Sequence, residues 1–506
     1  MRFIKIIILL LVPLAGLTMN ANAQISLTAE NMALGGGGTA YLTGFEALFV
    51  NPANLYIQEK NYNLQISLLQ GGAYFDSAVP IQNNNDRFSR FRTSLLPYND
   101  LNENRLITDG DRNSILDRNY PGERAVSYLH SKTDLYWLGM KWNRADRSYA
   151  LALRTRTMSS YEIGRGYFSA DPVERNGEMV IDRSFRHQYQ VLNELSFGYA
   201  ESFTFLNGLI PRLSEFIVGI APKVVLAGPH LDSEYFNVYT AVGEADGWQR
   251  EARFNQLGSG FFSASGAQEL LSGTASPLES SFSDLFNPSG VGIGLDIGIT
   301  YLITFGSDLS VLRRQDVPTE KSLRFSFSIN DLGALHHFRN PRMLSMPEID
   351  ESTVPEEELS ELYFQGAPNE HQFFLNQFSD SPYNMVDSVV DGSYETLLPT
   401  TINAGALFQI SRLKMMGDIS YNIARSRFSP NLPVTYLGVE LRPLTFLPLR
   451  AGTRLAPGLQ GYYSFGGAIE TTYFDLTAAV QLKSRNIGPT TEILGASLVG
   501  IKFYLQ

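Results

Sequence analysis

The 506-residue chain carries 40 Lys and Arg against 51 Asp and Glu, a formal net charge of −11, and no cysteine. The acidic balance argues against nucleic acid as a partner, and the lack of cysteine excludes disulfide staples and a lipoprotein anchor. With 44% hydrophobic residues and a mean hydropathy of −0.10, the chain fits an integral membrane protein only if its apolar residues alternate along strands.

Arg2 and Lys5 supply a positive start, Ile6 to Leu17 an apolar stretch, and Ala21-Asn22-Ala23 a small-residue cleavage site before Gln24. This predicts a secretory signal peptide over residues 1–23, because the apolar run is shorter than the roughly 20 residues of a membrane-spanning helix. Residues 24–59 form a separate N-terminal segment. It holds Met32-Ala33-Leu34-Gly35-Gly36-Gly37-Gly38-Thr39-Ala40-Tyr41 and, further on, Phe49-Val50-Asn51-Pro52-Ala53-Asn54-Leu55. A phosphate loop is set aside, since no Gly-Lys-Ser/Thr ending and no preceding buried strand are present. Gly35, Gly36, Gly37 and Gly38 permit positive φ or close backbone approach, as a segment folded inside a barrel needs; a flexible linker is the alternative.

Alternation then takes over. From Ile293 to Ile303 the odd positions are Ile293, Leu295, Ile297, Ile299, Tyr301 and Ile303, against Gly294, Asp296, Gly298 and Thr300. Period two places these sets on opposite faces of a strand. The same scoring predicts about fourteen strands, near 60–74, 132–143, 147–158, 191–203, 215–227, 291–303, 322–330, 400–411, 413–424, 434–443, 447–456, 461–470, 473–483 and 493–506. Long gaps alternate with short ones along the first half. That pattern predicts a transmembrane antiparallel β-barrel over 60–506, with Arg144–Arg147, Ser411-Arg412 and Thr471-Thr472 as periplasmic turns. Phe75–Ser131, Ser159–Gln190, Gly228–Gly290 and Asp331–Pro399 become extracellular, the last opening on an Asp331-Leu332-Gly333 turn. Within it, Glu356 to Glu361 behind Pro355 reads as a solvated acidic helix or a calcium site, although the Asp/Asn spacing of a calcium loop is missing.

Polar strand faces carry Asp418, Glu440, Arg442, Arg450, Arg454, Glu470 and Asp475. Lipid-facing charge is costly, so these residues are expected to line the lumen, either as a paired network that fills it or as the lining of a pore. The absence of like-sign rings favours filling. The six histidines, His130, His187, His230, His336, His337 and His371, fall in predicted external segments or at strand ends. They form no metalloprotease spacing, and no Gly-x-Ser-x-Gly elbow accompanies them, so neither enzyme activity, nor a metal, nor a cofactor is expected. An outer-membrane lipid or peptide hydrolase stands as the third functional reading, with His130, His336 and His337 as its candidates.

The Gly-rich stretch, the aromatic Tyr41 and then Asn51-Pro52-Ala53 resemble the N-terminal hatch of FadL-type hydrophobic-compound transporters and of PorV-like barrels from type IX secretion systems, which are fourteen-stranded. Gly290–Gly298, Phe325–Gly333 and Leu398–Gly405 are similar to stretches of an uncharacterised family of FadL/PorV-like outer-membrane proteins, catalogued as a domain of unknown function. The resemblance implies a hatch in the lumen around Gly35 to Gly38, Asn51 and Pro52, close to any ligand; Asn54 departs from the usual Asn-Pro-Ala-Gly form. It also implies residence in a Gram-negative-type outer membrane in contact with its lipid. The leading functional expectation is passage or capture of a hydrophobic or small-molecule ligand. The alternative is a platform that binds secreted or surface proteins.

Overall fold

The computed structural model of the chain describes residues 26–58, 60, 62–77, 113, 116–117, 120, 125–144, 147–203, 214–242, 247–260, 288–305, 321–354, 359, 388–423, 433–455, 461–484 and 491–505. The expected signal peptide and, Leu359 apart, the acidic stretch lie outside them.

Twenty strands are present among the described residues: β1 (Leu64–Ser77), β2 (Val126–Arg144), β3 (Arg147–Gly164), β4 (Val173–Arg175), β5 (Glu178–Asp182), β6 (Phe185–Ser202), β7 (Ser214–Ala241), β8 (Trp248–Ser259), β9 (Gly290–Phe305), β10 (Lys321–His337), β11 (Arg342–Val354), β12 (Ser388–Asp391), β13 (Tyr394–Leu397), β14 (Thr401–Ile410), β15 (Leu413–Asn422), β16 (Val434–Leu444), β17 (Leu447–Leu455), β18 (Tyr462–Glu470), β19 (Phe474–Ser484) and β20 (Thr491–Leu505). Fourteen of them close an antiparallel circuit in the order β1-β2-β3-β6-β7-β9-β10-β14-β15-β16-β17-β18-β19-β20, and β20 returns to β1. The result is a closed barrel of outer-membrane type, and each barrel strand overlaps one predicted from alternation.

The sequence dictates which face is wet. Along β9, Ile293 is 73% exposed while Asp296 and Thr300 are fully buried, so the oily side faces outward and the polar side faces the interior, the inverse of a soluble barrel. Near the β2–β3 turn, Trp142, Tyr149, Phe197 and Tyr199 stack across β2, β3 and β6 as an aromatic band, with Trp142 and Tyr149 5.6 Å apart. Such rings suit a membrane interface. No described helix is long and apolar enough to span a bilayer.

Two expectations are corrected. The Asp331-Leu332-Gly333 turn does not exist: β10 runs on to His337, and the register shift between Ile329 and Leu332 marks a bulge there, with Asp331 at φ +58°. The bulge turns Asp331 inward. In addition, the segments expected as external connections carry six further strands. β7 leaves its barrel partner β9 at Ala227 and pairs onward with β8, β8 pairs with β11, and β5 pairs with the far end of β7. This extends the same sheet beyond the barrel wall at the end that bears the long connections.

The N-terminal segment lies across the interior. Helix α1 (Ala29–Ala33) begins at Thr28, whose hydroxyl accepts from the Asn31 amide, and it packs on β17 to β20. Two 3₁₀ turns, Phe45–Phe49 and Pro52–Tyr56, pack on the opposite wall formed by β2, β3, β6, β7 and β9. Asn51 caps the second turn through Ala53 N (3.2 Å), and Pro52 fills the first helical position, where no amide is needed.

Candidate functional site in the barrel interior

The glycine run is shaped by the wall it meets. Gly35, Gly36 and Gly38 have φ of +87°, +101° and +136°. A Cβ on Gly35 would lie 2.7 Å from the Thr453 carbonyl oxygen, and one on Gly37 2.6 Å from Asp418 Oδ2. The chain thereby wraps Asp418, whose carboxylate accepts the Gly38 amide and, at 3.2 Å, the Thr39 amide. Asp418 has no cation within ion-pair distance among the described residues, so the main-chain amides are what stabilise it in a site that is 1% exposed. Further along, Asn51 Nδ2 donates to Thr300 Oγ1 (3.0 Å) and Thr39 O (3.1 Å), and Asn54 Nδ2 donates to Thr39 O (2.8 Å). Asn54 is thus a working part of the seat. Lys141 donates to Thr43 O and Ile57 O, Arg324 to Ala40 O and Ser328 to Val50 O.

Asp418 aside, the predicted lumen charges divide into two groups. Glu440, Arg442, Arg450 and Glu470 form one network, with Arg450 bridging Glu440 (2.8 Å) and Glu470 (2.7 Å), and Arg442 bridging the same pair (both 2.9 Å). Tyr41 donates to Glu440, and Asp475 joins through Lys60 and Tyr504. A small polar cleft lies beside this network at the short-turn end, lined among others by Lys60, Tyr62, Arg450, Lys502 and Tyr504. Arg454 stands apart. Its guanidinium lies 4.1 Å from the Tyr462 ring and donates to Tyr74, while Tyr462 and Lys483 both bond Asp76.

Sequence reasoning missed a third cluster, deeper in the barrel. Arg154 pairs with Glu194 (2.6 Å), Arg156 with Glu194 and with Asp331 (2.7 Å), and Lys223 with Asp296 (2.8 Å) and Asp331. The Arg154 guanidinium also stacks 3.9 Å from the Phe49 ring of the N-terminal segment. Alternation could have found Arg154 and Arg156, since both share a face with the buried Ala150 and Ala152 of β3. Lys502, bound to Glu30 and Glu46 (each 2.7 Å), was missed for the same reason.

The histidines do not form one group, but His230 and His337 lie together, their ring centroids 4.8 Å apart with Tyr394 packed against both. His337 is fully buried and His336 is exposed, as adjacent residues of a strand must be. His337 bonds Ser259 (3.0 Å) and Thr396 (2.9 Å), and His230 bonds Tyr394 (2.8 Å). His130 sits with Ser160 (2.8 Å) on another part of the wall. On the extension of the sheet, burial pushes the Asp182 carboxyl above its ordinary value, against the opposing pull of the Ser184 amide and Arg175.

Among the described residues the wall's widest interruption is at one seam, a shorter one lying between β6 and β7 where Phe197-Gly198 and Ala221-Pro222 are unpaired. β1 and β20 pair from Leu64/Leu505 to Leu68/Ile501 and again at Ala73/Ala496 and Tyr74/Gly495, leaving four residues on each strand unpaired between. Leu69 has φ +50°, and it and Leu68 both point outward, 63% and 49% exposed. Gln70 is buried in the gap with its Nε2 lacking a hydrogen-bond partner. Behind the gap stands an apolar cluster that includes Leu27, Met32 and Ala33, and the Met32 sulfur lies 2.8 Å from where a Gly72 Cβ would be.

No curated protein matches the sequence. Similar solved structures include the TodX monoaromatic hydrocarbon channel in a deltaS2S3 mutant, 11% identical over 95% of this chain and 98% of that one with a TM-score of 0.45. They also include the Ralstonia pickettii toluene transporter TbuX, 10% identical over 96% and 100% with a TM-score of 0.44, and the CymD monoaromatic hydrocarbon channel, 12% identical over 96% and 99% with a TM-score of 0.38. The model of DUF5723, a family of unknown function, matches residues 81–457. The chain belongs to that family.

Proposed function

We propose that the protein captures apolar small molecules and passes them sideways through its wall into the membrane. The observation that carries this reading is the unpaired β1–β20 seam. Along the barrel axis an apolar molecule would have to cross the N-terminal segment and buried ion pairs, where apolar contact cannot replace the lost hydrogen bonds. At the seam, by contrast, four residues of ladder are missing beside the Leu27/Met32 cluster, with Leu68 and Leu69 on the lipid side. Gly35 to Gly38, Asn51 and Pro52 then act as the hatch that holds this cluster in place, and the charge networks close the interior to water. The test uses the cysteine-free background. Cysteines replacing Gln70 and Gly500, which share the inner face of the seam with the Gln70 Cγ 3.0 Å from where a Gly500 Cβ would be, are oxidised in cells, and uptake of a panel of alkanes, fatty acids and aromatic hydrocarbons is followed. Closing the seam should lower uptake of at least one class about tenfold, reversibly with reductant. Equal uptake before and after oxidation refutes the route.

A second reading rests on the extension of the sheet formed by β5, β7, β8 and β11, which has its own apolar clusters around Tyr239, Trp248 and Val354 and around Tyr235 and Phe254. Ordered structure this far beyond the wall suits a platform for a secreted or surface protein. Photo-cross-linkers at Glu174, Gln249 and Asp350 on intact cells should trap a protein partner; recovery of monomer alone counts against the platform.

A further inference from the structure

The chain enters the described structure at Ser26, which is already fully buried. Its hydroxyl lies 2.7 Å from Tyr136 Oη, and the next amide, Leu27 N, donates to Asp134 Oδ2 at 3.1 Å. Asp134 is itself fully buried, and its second oxygen, Oδ1, has no hydrogen-bond partner. The nearest cation, Lys132, reaches only Oδ2, at 4.0 Å. A buried carboxylate oxygen without a donor is costly, so the site calls for one more cationic or N–H group at this position.

The sequence supplies one. Hydrolysis of the Ala23–Gln24 amide would use one water, leave the Ala23 carboxylate on the leader and give Gln24 a protonated amine. Three residues separate that nitrogen from Leu27 N, so it lies within about 10 Å of it whatever path the chain takes. We propose that Asp134 is a binding site for the protein's own mature amino terminus, and that seating of the N-terminal segment therefore requires prior removal of the leader. This rests on cleavage after Ala23.

Full-length protein purified from its membrane in detergent is exposed briefly near pH 7.5 to an amine-reactive reagent, which favours α-amines over lysines, and the N-terminal peptide is read by mass spectrometry. The expected result is a chain that starts at Gln24 with an intact amine labelled at least tenfold more slowly when folded than in urea. D134N should speed labelling about fivefold or more while keeping the heat-modifiable folded band. Should D134N fail to fold, Ser-Gly-Ser inserted between Ala23 and Gln24 moves the amine away with Asp134 intact and should label at the unfolded rate. An unprocessed variant with Ala21→Phe and Ala23→Phe should never reach the folded band. A chain beginning elsewhere overturns the cleavage premise. A Gln24 start that is cyclised with loss of ammonia, that labels equally fast folded and unfolded, or whose labelling neither D134N nor the insertion changes, overturns the site while leaving cleavage intact.

Discussion

Replacing Gly35 with alanine tests whether the N-terminal segment is held by the wall or only threaded through it. Two costs add. At φ +87° an alanine is strained by about 1–2 kcal/mol. Its Cβ would also sit 2.7 Å from Thr453 O and 2.9 Å from Thr453 C, backbone atoms of a strand paired on both sides, so relief requires the segment to move, at about 1–3 kcal/mol. The sum, about 2–5 kcal/mol, corresponds to roughly 30-fold to a few thousand-fold more frequent opening, at 1.4 kcal/mol per decade. Gly177 provides a matched control. It has the same φ of +87° in the β4–β5 hairpin, but nothing lies within 4 Å of its would-be Cβ, so G177A should show the strain alone and only in that hairpin. Hydrogen exchange of the Leu34 to Thr39 amides in micelles reads the difference. If G35A changes those rates by less than twofold while G177A loosens its hairpin, the close contact with Thr453 is not part of the folded protein, and the seat inferred for the glycine run is wrong.

Removing Arg154 leaves Glu194 buried with only Arg156, so R154A should lower urea stability in lipid by about 3–5 kcal/mol, while the double change R154M/E194M should cost much less; equal losses would deny the pairing. Burial raises the Asp182 carboxyl, so its ionised form opposes folding: the penalty is absent below the unfolded value near 3.9 and grows as pH rises through the folded one. Amide protection over 178–184, corrected for intrinsic rate, should fall from acid to neutral pH in the native protein and stay flat in D182N. Ile299, 37% exposed on the outer face of β9, should cost about 2–4 kcal/mol as I299R if lipid covers it near mid-bilayer; a neutral effect in vesicles would mean that water does.

Most of the barrel was legible because its constraint is local. Each strand has lipid on one side and a polar interior on the other, so Ile293 through Ile303 declare a strand without knowledge of any partner. The extension of the sheet beyond the wall lacked that signature for a physical reason: from His230 to Tyr239 every residue of β7 is buried or half-buried on both faces, with Tyr235 and Tyr239 packing one way and Phe236 and Val238 the other. Alternation vanishes where both faces are dry. Asp331 was misread because a bulge needs no turn residue, and the aspartate that resembled a loop start points at Arg156 and Lys223. Polar faces in the C-terminal strands disclosed Glu440, Arg450 and Glu470 as lumen residues, but which charge met which depended on register, on Tyr41 from the N-terminal segment and on Lys60 just before β1, information no single strand contains.

The inverted barrel also explains why the interior is so heavily charged. A wall that must show apolar residues to lipid has, by period two, only the other set to offer its lumen, so it cannot seat an internal segment on an apolar core alone. The seat is instead built from wall side chains that bond the segment's main chain: Asp418 to the amides of Gly38 and Thr39, Lys141 to the carbonyls of Thr43 and Ile57, Arg324 to Ala40 and Ser328 to Val50. Main-chain recognition demands close approach, and close approach is what the glycines at 35 to 38 permit. Polar anchoring in turn makes the axis hostile to apolar solutes, and the widest break in the described wall that apolar residues of the segment reach is the seam behind Leu27 and Met32. Plugging and sideways passage are therefore two consequences of one constraint, the lipid outside.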